Sequence, residues 1–341
     1  MSKLVTIGIP LYKRFEYLSR VLEVVASQDY PHIDVLISDN GMNGSRVREM
    51  VDKLYPKPYR FRQNASTVGI SDHFSQLIRE ARGEYFVPLA DDDEISPNYV
   101  SDLAALLDKY PQASVAFGIQ ESFDDLNHVI GRSKDTVPEL ISGPDFVRAT
   151  WGTYEFGFQS LSTYLAKTKR LIEVGCYPSF WVAQFDEDAM IVDASIDNFV
   201  AFSTRSTYRK RYHEASDQNC LAIRDVGIVV RQFLKHVDTD PILVHFAADH
   251  PAKWAQARQY LIDGAWRTYY YRWTDMYKSR MPTFKWVVAA FALPFIPGYY
   301  KAVASRLTAD AVSSTLAGFK QLFPDAYHAC RRFRARMRKP A

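Results

Sequence analysis

The chain has 341 residues, 47% hydrophobic and 24% charged, enough to enclose a core as one large domain or two modest ones. A formal net charge of +3 argues against a protein that coats polyanions along its whole surface. Three scattered cysteines (Cys176, Cys220 and Cys330) exclude a disulfide framework or a zinc ribbon and fit a reducing compartment.

The first residues lead straight into an apolar run, so no signal peptide is expected. Leu4–Ile9 is β-branched and stops at Pro10, which predicts a buried strand. Tyr17, Leu18, Val21, Leu22 and Val25 recur at helical spacing and predict a helix over Phe15–Ser27. Ile33–Ile37 reads as a second strand, closing at Ser38-Asp39-Asn40-Gly41. Ser45–Leu54 follows as an amphipathic helix and Tyr59–Arg62 as a short third strand. A helix over Ser71–Ala81 puts Phe74, Leu77 and Ile78 on one face. Tyr85–Leu89 is the fourth strand, Tyr99–Leu107 a helix, and Ala113–Gly118 and Phe199–Thr204 further strands. From about Asp225 the pattern is helical without strand alternation. Alternating strands and helices imply an α/β fold whose mostly parallel sheet is covered on both faces. Such sheets bind ligands beyond the carboxyl ends of their strands. No glycine-rich phosphate loop follows the first strand, which argues against a dehydrogenase or a P-loop nucleotidase.

The strongest chemical signal lies in residues 83–97, where an apolar strand runs directly into Asp91, Asp92 and Asp93. Clustered carboxylates raise one another's pKa unless a cation sits among them. Hard divalent ions are commonly shared between one or two carboxylates and substrate phosphates. A polar turn closing a strand is the competing reading, and this segment alone does not separate the two. Pro10-Leu11-Tyr12-Lys13-Arg14 and Asp39-Asn40 fall at the same end of the expected sheet, which points to one shared site.

In this order and spacing the elements resemble the family 2 glycosyltransferases, which have the GT-A fold, a nucleotide-diphospho-sugar transferase architecture. The residues that carry the resemblance are Val5–Arg14, Gln28-Asp29-Tyr30, Ser38–Gly41, Asn64–Gly69 and Gly83–Pro97. The match covers about the first third of the chain well. It implies an inverting transfer of a sugar from a nucleotide-sugar, a UDP-sugar by default, to a hydroxyl of a glycan or polyprenyl-linked acceptor, with Mn2+ or Mg2+ as cofactor. Pro10, Tyr12, Arg14, Asp39, Gly69, Asp91 and Asp92 would then border the nucleotide. Asp92, Asp93 and His213 would hold the metal. One departure stands out: counting back from Pro97, Ala90 falls where the family's first aspartate is expected. Either Asp91 substitutes for it or the metal is held weakly. The family's general base is an acid at the start of a later helix. Here Asp188 in Phe185-Asp186-Glu187-Asp188 matches best, with Asp186 and Glu187 as alternatives. Capping of that helix would favour acids at the same place. In Tyr208–His213, Arg211 could neutralise phosphate. Trp151 and Phe158 are the acceptor-binding candidates, with core packing the equal alternative.

These readings divide the chain into a catalytic domain over 1–222 and a helical region over 223–341. The catalytic domain has a nucleotide-binding half to residue 120 and an acceptor-binding half over 121–222. In the C-terminal region Phe284–Tyr300 is apolar but broken by Pro294 and Pro297, too short to span a bilayer. Arg331–Lys339 is a basic cluster. Together they predict a cytoplasmic protein held peripherally on the anionic inner face of the membrane, with no nucleic-acid partner. Bacterial surface polysaccharide or O-antigen assembly is the expected setting. A sugar nucleotidyltransferase and a non-catalytic carbohydrate-binding or scaffold protein on the same fold are the competing readings.

Overall fold

The computed structural model describes residues 2–157, 160–212 and 223–278. The elements in chain order begin β1 (Val5–Leu11), α1 (Leu18–Ala26), β2 (Ile33–Asp39), α2 (Ser45–Leu54) and β3 (Arg60–Gln63). They continue α3 (Ile70–Glu80), β4 (Tyr85–Pro88), β5 (Glu94–Ile95), α4 (Tyr99–Lys109), β6 (Ala113–Phe123), β7 (Val129–Arg132) and β8 (Leu140–Ser142). After α5 (Gly143–Val147) the chain makes a π-helical turn over Arg148–Gly152, then β9 (Tyr164–Lys167), α6 (Thr168–Glu173), α7 (Asp186–Ser195) and β10 (Phe199–Arg211). Three helices close the described chain, α8 (Ile223–Thr239), α9 (Pro241–Asp249) and α10 (Pro251–Lys278).

Among the described residues the strands form one sheet in the order β3-β2-β1-β4-β9-β6-β10-β5, with β7 added beside β6 and β8 beside β10. β1 pairs in parallel with β2 and β4, β2 with β3, and β6 with β10. Antiparallel β9 joins the two parallel groups, pairing with β4 on one side and β6 on the other. The expected alternating strands and helices are all present in the first 120 residues. The short strands β5, β7, β8 and β9 were not expected, and the strand expected over Phe199–Thr204 continues through Arg211 as β10. These pieces owe their conformation to partners distant in sequence, which local periodicity does not encode.

Two apolar layers sandwich the sheet. Because strand side chains alternate between faces, Tyr85 and Val87 join one layer with Val21, Val47 and Leu103, while Phe86 joins the other with Leu77, Phe117 and Met190. The second layer centres on Phe117, stacked at 5.8 Å on Phe146 and at 5.9 Å on Phe202. The Thr6 hydroxyl ties three elements together, donating to Asp34 of β2 at 2.8 Å and accepting the Gly83 N–H before β4 at 2.8 Å.

The chain divides into compact units Met1–Ala265 and Trp266–Ala341, and the sheet belongs to the first. α8 and α9 fall in that unit too, beyond the expected domain boundary at residue 222. Among the described residues no helix is long and apolar enough to cross a membrane. Phe284–Tyr300 and the basic cluster at 331–339 lie outside the described residues. Replacing the fully buried ring in Phe117→Ala should cost about 3–5 kcal/mol of stability, read as a lower urea midpoint with native far-UV circular dichroism.

Candidate active site

The carboxyl ends of β1, β2 and β4 meet on one side of the sheet. The first two loops are joined closely: the Asn43 amide donates to the Tyr12 carbonyl at 2.6 Å, and a Cβ on Gly41 would sit 1.8 Å from that same oxygen. Only glycine permits this approach without moving the backbone. Asp39 is fully buried and organises the turn. One carboxylate oxygen accepts the Gly41 N–H at 2.8 Å and the Asn43 amide at 2.7 Å; the other accepts the Asn43 N–H at 3.0 Å and Gln63 at 2.9 Å. Asn40 holds the next loop, donating to the Val68 carbonyl and accepting from the Val68 N–H and Asn64. Gly69, exposed, opens α3 from that loop.

After β4 the chain turns through Ala90–Asp93 into β5, which pairs antiparallel with Tyr208 and Arg209 of β10. That pairing brings the end of β10 against the acid cluster. Asp93 is buried, accepting the Tyr208 hydroxyl at 2.9 Å and the Arg211 N–H at 2.9 Å. The Arg211 guanidinium donates to the Asp92 carbonyl at 3.1 Å and lies 4.4 Å from the ring centroids of Tyr17 and Phe123. Arg14 reaches across from the β1 loop, 3.5 Å from Asp91 and 3.5 Å from Asp92.

The electrostatics follow from this crowding. Burial first, then the Asp92 charge, pushes Asp91 up to about 7 despite Arg14. The same two causes raise Asp93, opposed by Lys210. Removal from water is thus the larger cause of both shifts and repulsion by Asp92 the smaller one. The carboxylate oxygens of Asp91 and Asp92 are hard donors of the kind Mg2+ and Mn2+ require, so the residues fit such an ion. Asp93 instead has both oxygens engaged by β10. Among the described residues, these acids do not bring three ligand atoms within 4.8 Å of one another, so phosphate oxygens would have to complete the shell.

α7 supplies the opposite wall. Its N-cap, Phe185, has a left-handed backbone (φ 70°), unusual for a bulky residue. The ring is fixed at 5.2 Å from Phe233 of α8 and 5.7 Å from Trp151. Asp186 is buried, accepting the Ser71 hydroxyl of α3 and, at 3.0 Å, the Glu187 N–H; burial and then the Glu187 charge push it up to about 6. Glu187 accepts the Ser160 hydroxyl at 2.8 Å, and Lys210 of β10 donates to that hydroxyl oxygen at 3.1 Å. Asp188 is half-buried, and burial followed by repulsion from Glu187 and Asp186 raises its pKa well above the usual range.

One cavity of about 360 Å³ runs between these walls, and Arg14, Asp92, Asp93, Asp186, Glu187 and Lys210 all line it. Of the sequence candidates among the described residues, Pro10, Tyr12, Asp39, Gly69, Asp91, Trp151 and Asp188 are not part of its lining. Trp151 is buried, stacked on Phe233 at 5.1 Å, and a Cβ on Gly264 would meet its ring at 2.5 Å; it packs in the interior. Phe158 and His213 lie outside the described residues. Lys210, Ser71 and Ser160 escaped the sequence reading, because single polar residues on a strand, helix or loop carry no local signature. Two exposed rings were also missed as site neighbours: Tyr212, which lines the cavity, and Trp181, 63% exposed two residues before the lining residue Ala183.

A mixed sheet with loops gathered at its strand ends, an acid cluster after one strand and an acid-rich helix opposite defines a transferase-type α/β site. The family model for glycosyl transferase family 2 matches residues 6–183, and the chain belongs to that family. Glycosyltransferase GlyG of Streptococcus pneumoniae is 24% identical over 180 residues, 51% of this chain and 58% of that protein. Abequosyltransferase RfbV of Salmonella typhimurium is 29% identical over 110 residues, 31% of this chain and 33% of that protein. An uncharacterized glycosyltransferase of Rickettsia felis is 25% identical over 36% of this chain, and the match spans only 20% of its length. Among solved structures, S. aureus TarS 1–349 in complex with UDP superposes with a TM-score of 0.57 at 15% identity, over 90% of this chain and 82% of that one. The Pyrobaculum calidifontis mannosyltransferase PcManGT, in complex with GDP-Man and Mn2+, gives 0.52 at 15% identity, over 98% of this chain and 85% of that one. The GT-A fold expected from the sequence is the fold observed.

Two outcomes follow from the geometry. Gly41→Ala forces the β1 and β2 loops apart and should destabilise by about 1–3 kcal/mol, measured by chemical denaturation. Asp91 binds its proton more tightly folded (about 7) than unfolded (ordinary value 3.8), so its contribution to stability is full below the unfolded value and is lost as pH rises through the folded one. A divalent ion held there would compete with that proton, so thermal melts in the presence of UDP should show a larger Mn2+-induced rise in Tm near about pH 8 than near about pH 5.

Proposed function

We propose that this chain is an inverting glycosyltransferase that moves a sugar from a nucleotide-sugar, a UDP-sugar by default, to a hydroxyl of a glycan or polyprenyl-linked acceptor. The supporting observation is the single cavity lined on one side by Arg14, Asp92 and Asp93 and on the other by Asp186, Glu187 and Lys210. In this reading the donor's diphosphate lies against Arg14, Lys210 and the Asp91–Asp92 pair. A divalent cation held by Asp92, with Asp91 beside it, would supply Lewis-acid stabilisation of the departing diphosphate. Arg14 and Lys210 add fixed positive charge where negative charge develops. Asp39 and Asn40 hold the loops that would border base and ribose.

Inversion needs a base on the face of the sugar opposite the leaving group. We assign that role to Asp188, which matches the family's second acid and whose proton affinity is raised by burial and by the neighbouring Glu187 and Asp186 charges. Glu187, held by Ser160 beside Lys210, would receive and orient the acceptor hydroxyl. Asp186, bound to Ser71, supports the helix start. Tyr212 and Trp181 replace the buried Trp151 as the rings on which an acceptor sugar would stack. RfbV, an abequosyltransferase by name, supports glycosyl transfer as the chemistry, and bacterial surface-polysaccharide assembly is kept as the proposed setting. Peripheral attachment at the inner face of the membrane is retained as part of the proposal, on the strength of the basic C-terminal sequence.

The test is turnover of a nucleotide-sugar panel with Mn2+ and with Mg2+. Wild type should turn over at least one donor in a metal-dependent manner. Asp92→Ala should abolish the metal dependence, Asp188→Asn should lower kcat by about 10²–10⁴-fold, and Glu187→Gln should act mainly on acceptor KM. Interchanged effects of the last two would move the base to Glu187. No turnover, with no metal-dependent nucleotide binding by calorimetry, would favour a non-catalytic carbohydrate-binding protein.

A further inference from the structure

Seven residues after Asp186, about 10 Å further along the helix by its rise per residue, α7 carries a second acid that the proposed chemistry does not use. Asp193 is only 1% exposed. One of its carboxylate oxygens meets His236 Nε2 of α8 at 2.8 Å. The other is buried and accepts no hydrogen bond among the described residues. Arg170, the nearby cation, directs its hydrogen bonds to the Asp193 and Ala194 carbonyl oxygens and to the Asp197 carboxylate. Asp240, at the start of α9, completes the group. Its Oδ1 caps the helix, accepting from the N–H groups of Ile242 at 2.9 Å and Leu243 at 3.4 Å, while Oδ2 faces His236 Nε2 at 4.0 Å.

One imidazole nitrogen thus faces two carboxylates, and it can donate a proton to only one of them. The buried, unpaired Asp193 oxygen is costly to leave unsatisfied. Asp193, His236 and Asp240 each offer a ligand atom, and the three atoms lie within 4.8 Å of one another. Imidazole nitrogen with two carboxylate oxygens is a donor set suited to a zinc-class ion, with one coordination position left over.

We propose that Asp193, His236 and Asp240 form a second cation site, separate from the active-site cavity, which takes a zinc-class divalent ion and fastens α7 to α8 and α9. The ion satisfies the buried Asp193 oxygen and balances the second carboxylate. It also restrains the helix whose first turn carries Asp186, Glu187 and Asp188.

The test uses the full chain and Zn2+ alone. After EDTA treatment and desalting, calorimetry with ZnCl2 and thermal melts are compared for wild type, His236→Gln, Asp240→Asn and Asp92→Asn, with Co2+ as a spectroscopic substitute. Asp240→Asn keeps a competent helix cap while removing a carboxylate ligand. Wild type should bind one equivalent of Zn2+ with a rise in Tm and visible ligand-field bands with Co2+. Asp92→Asn should keep both signals. His236→Gln and Asp240→Asn should stay folded without metal yet bind Zn2+ more than about 100-fold more weakly, beyond the range typical of outer-shell changes. Absence of stoichiometric binding in wild type, binding undiminished in both ligand variants, or loss of binding in Asp92→Asn alone would each overturn the site. If His236→Gln fails to fold, Asp240→Asn and the Co2+ spectrum of wild type decide the question.

Discussion

The arrangement of this molecule depends on an excess of carboxylate charge held at low exposure around one cavity. Asp91, Asp92 and Asp93 close β4, and Asp186, Glu187 and Asp188 open α7. Such groups repel one another and resist burial, which is why Asp91 and Asp186 hold their protons toward neutral pH. Arg14, Lys210 and Arg211 come from two other segments to face them. Under the proposed function, positive charge delivered by a substrate-bound ion would add to theirs.

Holding these charges in place takes rigid construction around them. β5 contributes two residues, yet its pairing with Tyr208 and Arg209 sets the turn that contains the acids. Asp93 then serves as a clamp between that turn and β10, not as an open ligand. On the other wall, the left-handed backbone at Phe185 is maintained by ring packing against Phe233 and Trp151, which aims the start of α7 at the cavity. α8 therefore supports the site from beyond the expected catalytic boundary, first through Phe233 and again through His236.

The alternation of strands and helices over the first 120 residues was legible because each element there carries its own period and its own stop signal. The burial pattern of β1 and the helical spacing of Leu18, Val21 and Leu22 are local properties. The acid cluster was legible for a similar reason: three adjacent aspartates after an apolar strand are conspicuous in one dimension. Trp151 shows the limit. Its neighbourhood of aromatics and glycines fits a sugar platform and a packed interior equally well, and only the close approach of Gly264 and the stacking on Phe233 distinguish them.

By itself the amino-acid sequence determined the fold class, the family and the end of the sheet at which chemistry is concentrated, because periodicity and motif order are written along the chain. Only the tertiary structure decided which acids face a common space and which are engaged elsewhere. Asp39 in its buried turn, Asp93 against Tyr208, Glu187 beside Ser160 and Asp193 opposite His236 are all aspartate or glutamate in the sequence. Their roles differ because hydrogen-bond partners, burial and neighbouring charge come from segments roughly 20 to more than 100 residues away, and no local pattern carries that information.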